Sequence, residues 1–260
     1  MVQWLRYSVQ TVATATVILP QRGLAVLHTR HGKLQLLRAL LMITCTSLGF
    51  LSLRYVPVGD FTAIVSLVPL MVTLASIWLL KEKVSALRWA LALGSFGGVL
   101  LIVHPGRDNF SLTWLLPLLL VITACAFQLL TAKLMRTESA ATTHLYSGLF
   151  GMCITTIALP FVWQSLPLSV WGLMCIVAVA SSIGHVMHIK AFQYLPAAQV
   201  SVYQYTQIGF AMLGGWLVFA RIPDALALGG ITLIALCGVL SAWLTLREGK
   251  TMVASQGLET

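Results

Sequence analysis

Charged positions are sparse along this chain, and the intervals between them are apolar. No Asp, Glu, Lys or Arg falls within 61–80, 89–106, 109–132, 139–189, 191–220 or 225–246. A run of about 20 apolar residues makes a helix of about 30 Å, the hydrocarbon thickness of a bilayer. The interval 139–189 is too long for one crossing and divides at Pro160 and Pro167, around Trp163 and Gln164. Two shorter apolar segments, 4–20 and 36–56, flank the polar stretch 21–33. The pattern predicts nine spans, the other seven near 60–80, 86–104, 111–133, 143–162, 168–190, 198–220 and 224–246, with connections too short for a soluble domain. Continuous rather than alternating apolarity selects helices over a β-barrel, since lipid leaves the backbone no other way to satisfy its polar groups. The expected fold class is therefore all-α, a polytopic helical membrane protein.

Composition agrees. The chain is 58% hydrophobic and 9% charged, against about 25% charged in a soluble domain. A soluble enzyme, a disordered chain and a disulfide scaffold are excluded. Cys45, Cys125, Cys153, Cys175 and Cys237 all lie in apolar spans and read as small hydrophobes, so no disulfide, metal site or cofactor is expected. The segment 7–19 has the length of a signal-peptide core, but no basic cluster precedes it and no small-x-small site follows, so it reads as a span.

The net charge of +9 changes the picture only through its distribution. Alternating the loops between two sides places twelve Lys and Arg on one side, among them Arg22, Arg30, Arg38, Lys81, Lys133 and Arg247, and four on the other, Arg6, Arg54, Arg107 and Arg221. Basic loops stay in the cytoplasm, which puts the C-terminus inside and Met1 outside. Nucleic acid is not needed to explain the basic balance. The expected partners are the lipid bilayer and a small-molecule substrate, with a homo-oligomer left open.

The third and fourth spans recur in the last two. Leu53-Arg54-Tyr55-Val56-Pro57 precedes one span as Phe192-Gln193-Tyr194-Leu195-Pro196 precedes another, 139 residues later. The hinge Lys81-Glu82-Lys83-Val84-Ser85 answers Ala220-Arg221-Ile222-Pro223-Asp224, and Gly98-Val99-Leu100 answers Gly238-Val239-Leu240 with one residue of slippage. In the charge-derived topology the two copies are inverted, the sequence sign of alternating-access transporters.

These motifs, with Val68-Pro69-Leu70, Leu80-Lys81-Glu82 and Gly97-Gly98-Val99-Leu100-Leu101 in the first copy, resemble the EamA family of the drug/metabolite transporter superfamily. The second copy is similar through Ala191-Phe192-Gln193-Tyr194-Leu195-Pro196-Ala197, Tyr205-Thr206-Gln207 and Pro223-Asp224. Gly184-His185 and Arg6 look like the branch that includes S-adenosylmethionine and riboflavin uptake proteins. The resemblance implies ten helices in two inverted five-helix halves around a cavity for a small organic metabolite. It divides this chain into repeats at 1–106 and 111–247 and a cytoplasmic tail at 248–260. The chain starts where the family's second helix would start, so a first helix is missing, and a groove beside 4–20 should expose Tyr7, Gln10 or Thr11. The family's hinge acid is present as Glu82 and replaced by Arg221 in the second copy.

Polar side chains deep in apolar spans are costly and face cavities or partner helices. His185 leads the candidates for substrate binding, sharing a helical face with Ser181 and His188. Tyr203 and Gln207 lie on one face of their span and Tyr205 on another, a set suited to an aromatic or amide-bearing metabolite or, alternatively, to interhelical hydrogen bonds. Gln128 and the stripe Arg6, Tyr7, Gln10 complete the candidates, with Arg6 alternatively a side chain that snorkels to headgroups. No Asp or Glu lies well inside a span, so His185 is expected to be the one buried titratable group of note, and a carboxylate-based ion site is disfavoured.

Several enzyme-like signals fail. Gly249-Lys250-Thr251 lacks the earlier Gly and the strand of a phosphate loop, and His28-x-x-His31 sits among basic residues that repel a cation. Gly94-x-x-x-Gly98 reads as close helix packing. The leading reading is a transporter of a small organic metabolite, such as an amino-acid, nucleoside-like or vitamin-like solute. An intramembrane enzyme using His185 and an inactive truncated fragment are the alternatives.

Overall fold

The computed structural model describes residues 1–56, 58–103, 112–219 and 225–256. The second-copy hinge 220–224, Arg107 and Thr260 lie outside them. The described residues are helical, with no strand among them. The helices are α1 (Val2–Arg22), α2 (Gly32–Ser52), α3 (Val58–Val65), α4 (Val68–Leu79), α5 (Ala86–Val103), α6 (Leu115–Leu134), α7 (Ala140–Val162), α8 (Leu168–Tyr194), α9 (Ala197–Tyr203), α10 (Thr206–Phe219) and α11 (Ala225–Gln256).

Six segments among the described residues are long and apolar enough to cross a bilayer: Gly32–Ser52, Phe61–Leu79, Leu112–Leu134, Ala140–Val162, Leu168–Tyr194 and Ala225–Leu244. Ala86–Ile102 is apolar but shorter. Burial is inverted relative to a soluble protein. Arg38, Thr143 and Ser201 are fully buried, while Phe161 and Leu168 are each 87% exposed. That arrangement suits lipid, where outward apolar side chains cost nothing and inward polar ones find partners. The chain is a multi-pass membrane protein.

Two of the predicted continuous spans are broken. The first divides between α3 and α4, at Ser66 and Leu67. Pro69 explains the position: it lacks the N–H that would bond Val65, and its ring clashes with that carbonyl four residues back. The second divides between α9 and α10, at Gln204 and Tyr205. No proline marks this break. The turn is instead built from short three-residue bonds, Gln204 N–H to Ser201 O (3.1 Å), Tyr205 N–H to Val202 O (3.3 Å) and Gln207 N–H to Gln204 O (3.3 Å). The Thr206 hydroxyl donates to Tyr203 O at 2.6 Å.

The breaks are equivalent positions. An offset of 139 residues carries the starts of α1, α3, α4 and α5 onto or beside those of α7, α9, α10 and α11. It also carries Ser66 onto Tyr205, and the Tyr205 hydroxyl donates to Ser66 O at 3.0 Å.

The chain folds as two compact units, each drawing on both parts of the sequence. Unit 1 comprises residues 1–51 and 126–196, and unit 2 comprises 52–125 and 197–260. Within unit 1, α1 runs antiparallel to its counterpart α7: Trp4 bonds Thr156, Tyr7 covers Gly151 and Thr11 covers Gly148. Within unit 2, α5 runs antiparallel to its counterpart α11, with Gly94 against Cys237 and Gly98 against Gly230 and Ile234. A Cβ on Gly230 would lie 2.5 Å from Gly98 O, and one on Gly98 would lie 2.8 Å from Gly230 O. The Gly94-x-x-x-Gly98 pattern thus serves close helix packing.

A carboxylate caps one helix start in each unit. In unit 1, Glu138 Oε1 accepts from Thr29 Oγ1 (2.9 Å), Arg30 N–H (2.8 Å) and His31 N–H (3.2 Å), just before α2. In unit 2, Lys81 follows α4 in the left-handed region at φ 55°, and Glu82 accepts from Ala197 N–H (2.8 Å) and Ala198 N–H (3.1 Å) at the start of α9. Glu82 satisfies orphan N–H groups of α9, Glu138 fixes the residues that lead into α2, and each places negative charge at the positive end of a helix dipole.

The glycine contact supplies a test. Gly230→Ala forces two backbones apart and should destabilise the protein by about 1–3 kcal/mol, read as a lower thermal midpoint in detergent. Gly229→Ala, whose added methyl would meet no atom within 4 Å, should leave the midpoint unchanged.

Candidate functional site

The polar centre of unit 1 forms around Arg38. The charge pattern assigns this residue to a basic loop, but α2 begins at Gly32, which carries Arg38 almost two turns into the helix, with no solvent exposure. Removing it from the loop count leaves the excess of basic residues on the same side. Its Nε donates to Thr131 Oγ1 of α6 at 2.7 Å, and its Nη1 donates to the Ser147 hydroxyl and reaches Thr143 O of α7 at 3.5 Å. The guanidinium lies 4.7 Å from the Phe127 ring centroid, a cation–π distance. Among the described residues no carboxylate bonds to it.

Its remaining nitrogen meets His185. Arg38 Nη2 stands 3.3 Å from His185 Nε2, and since a guanidinium can only donate, Nε2 accepts. The ring proton then sits on Nδ1, which faces Gln10 Oε1 at 3.4 Å. Gln10 in turn donates through Nε2 to His144 O at 2.8 Å. The His144 ring lies 5.3 Å from that of His185, with Nδ1 2.7 Å from Thr14 Oγ1 and Nε2 3.2 Å from Ser182 O. One turn before His185, Ser181 accepts from Arg6 Nε at 2.8 Å. The contacts Arg6–Ser181 and Gln10–His185 form two rungs one turn apart, which sets α1 parallel to α8.

Of the predicted site residues, Arg6, Gln128 and His185 belong to unit 1. Arg6 and His185 join this network, and Gln128 is buried beside Phe127 on α6. Tyr203, Tyr205 and Gln207 belong to unit 2. Tyr205 is 1% exposed and commits its hydroxyl to Ser66; Tyr203 is half-buried and Gln207 exposed. His188 is half-buried and rests against Phe192, 5.0 Å between ring centroids.

Two expectations need correction. His185 is not alone as a buried titratable group: Arg38 and His144 are more deeply buried. The spacing of Asp, Glu, Lys and Arg passes over His144, and the stripe Gln35, Arg38, Thr46, though at helical spacing, begins at the edge of its apolar run. Nor does α1 expose Tyr7, Gln10 or Thr11, which are 2%, 4% and 9% exposed and packed against α7. A cleft of about 340 Å³ does open beside α1, but at its beginning, lined by Met1, Trp4, Phe50 and Thr155.

Comparison with known proteins gives the class. Residues 4–104 match the EamA-like transporter family. A riboflavin transporter of Vibrio cholerae is 30% identical over 246 residues, spanning 91% of this chain and 82% of its own length. The pseudopaline exporter of Pseudomonas aeruginosa is 26% identical over 239 residues, 88% of this chain and 82% of its own. An S-adenosylmethionine uptake transporter of Rickettsia bellii is 23% identical over 212 residues, 82% and 73% respectively. A crystal structure shares the fold with a TM-score of 0.79 at 14% identity, covering 95% of this chain and 88% of its own. The chain belongs to the EamA-like transporter family, and it is a small-metabolite membrane transporter rather than an enzyme.

Arg38 can be tested through stability. Arg38→Ala strands the acceptors on Ser147, Thr131 and His185 around a cavity and should cost about 3–5 kcal/mol. Arg38→Lys should recover only part of this, because an ammonium cannot reproduce the planar fork that serves three helices at once. Denaturation in detergent, followed by tryptophan fluorescence, measures both.

Proposed function

We propose that the protein moves a small organic metabolite by alternating access, with nine spans arranged as two inverted repeats at 1–106 and 111–247. The observation that carries this reading is the polar network Arg38–His185–Gln10, placed inside an apolar bundle and assembled from helices of both repeats. Polar groups so placed are expensive in a membrane protein, and they accompany a route for a polar solute. The antiparallel pairing of α1 with α7 and of α5 with α11 supports inverted copies. The breaks between α3 and α4 and between α9 and α10 are the discontinuous helices that such transporters use.

Substrate contacts are assigned in unit 1 to His185 and Arg6, with Gln128, and in unit 2 to Tyr203 and Gln207, while Tyr205 holds the helix break through Ser66. The names of the relatives favour a metabolite of vitamin or nucleoside size, moved in either direction. The proposed location is the bacterial inner membrane, with the C-terminus in the cytoplasm. Flux of a labelled metabolite panel into proteoliposomes tests transport. His185→Ala and Gln207→Ala should each weaken substrate binding by about 1–3 kcal/mol, roughly five- to 150-fold, while membrane insertion persists. Normal transport by both variants would make these side chains packing devices.

Orientation has its own test. Reporter fusions after residue 260 and within 21–33 should both signal cytoplasm, as the basic excess requires. A periplasmic signal at either would sink the assigned topology.

A further inference from the structure

The charge balance of unit 1 is lopsided in a way that hydrogen bonds do not repair. Its residues 1–51 and 126–196 contain eight Lys and Arg and a single acid, Glu138. That acid is committed to the residues preceding α2, where it accepts from Thr29, Arg30 and His31. Arg38 therefore carries a buried positive charge compensated by hydroxyls, one carbonyl, an imidazole and a ring face. Such dipoles satisfy the guanidinium's donors but leave its net charge in place, which favours an anion nearby.

A second guanidinium is close by and incompletely used. Arg6 donates through Nε to Ser181, and its two Nη groups have no acceptor among the described residues. Arg6 is half-buried, so these groups remain reachable, unlike those of Arg38. Ser181 and His185 lie one turn apart on α8, which places Arg6 beside the ring whose far edge Arg38 engages. Paired N–H donors in a planar fork match the two oxygens of a carboxylate or a phosphate.

We propose that the transported metabolite carries an anionic group, a carboxylate or a phosphate, which binds between α1 and α8 on the free Nη groups of Arg6. Arg38, behind His185, supplies the second positive charge without touching the ligand. This inference rests on the reading of the chain as a transporter whose substrate meets His185, and it narrows the substrate class of that site.

The test uses the full chain in phosphatidylcholine nanodiscs, with matched probes: metabolite carboxylates against their primary amides, and phosphate monoesters against the parent alcohols. Anionic members should raise the thermal midpoint and their neutral partners should not. Arg6→Gln should weaken anion binding by about 10- to 100-fold, read as loss of the anion-induced shift relative to the variant's own ligand-free midpoint, and Arg6→Lys should restore part of the affinity. The inference is overturned if neutral members bind equally well, if Arg6→Gln leaves anion affinity unchanged, or if no soluble anion shifts the midpoint. It is equally overturned if only added phosphatidylglycerol does so, since the site would then hold lipid. Flux separates this from the broader reading. Transport of a neutral or cationic member that is lost in His185→Ala removes the anionic substrate and keeps the transporter; absence of flux for every member removes the transporter.

Discussion

A guanidinium buried among transmembrane helices sets the conditions that the rest of unit 1 satisfies. Arg38 has five N–H donors, cannot shed its proton and has no solvent exposure. Its donors therefore depend on acceptors held at fixed places. Thr131, Thr143 and Ser147 supply them from α6 and α7, and His185 supplies one from α8. Three neighbouring helices are thereby fixed in rotation and height relative to α2. Gln10 and Arg6 extend the same requirement to α1. Shape complementarity among Leu and Val side chains tolerates sliding by a fraction of a turn, whereas this network does not.

Unit 2 reaches definition by other means. Its close contacts are backbone to backbone, at Gly98 and Gly230, and its polar links are short: Thr73 to Ser201 at 3.0 Å, Tyr205 to Ser66, and Glu82 to the start of α9. Tyr205 and Ser66 are the same position in the two copies, so one copy's side chain satisfies the other copy's backbone where both helices break. The copies have diverged in what causes the break, a proline in α4 and a run of three-residue turns before α10.

Much of this was legible in the sequence because lipid restricts the choices. A charge-free run of about 20 residues has one stable form in a bilayer, so the helices followed from charge spacing alone. The 139-residue offset between Leu53–Pro57 and Phe192–Pro196 also relates the two helix breaks, and the close packing at Gly98 was expected from Gly94 and Gly98. Pro69 could have located the first break; nothing local located the second. The site was legible only in part. His185 and Arg6 stand out inside apolar surroundings, but Arg38 lies where span and loop meet, and its meaning depends on Thr131, Thr143 and Ser147, about a hundred residues away. Such partners are supplied by topology, which no local pattern encodes.

The interleaving of the two units has a consequence for the order in which the protein can be made. Unit 1 needs residues 1–51 and also 126–196, and α7 and α8 leave the ribosome after the whole first stretch of unit 2. At about 5–20 residues per second, α1 and α2 wait roughly 10–30 s for them. During that interval Arg38, Gln10 and Gln35 face lipid or the insertion machinery without the partners that α7 and α8 supply. The early helices are therefore the vulnerable nascent intermediates, and a slow or interrupted elongation through 52–125 would endanger unit 1 rather than the segment being synthesised.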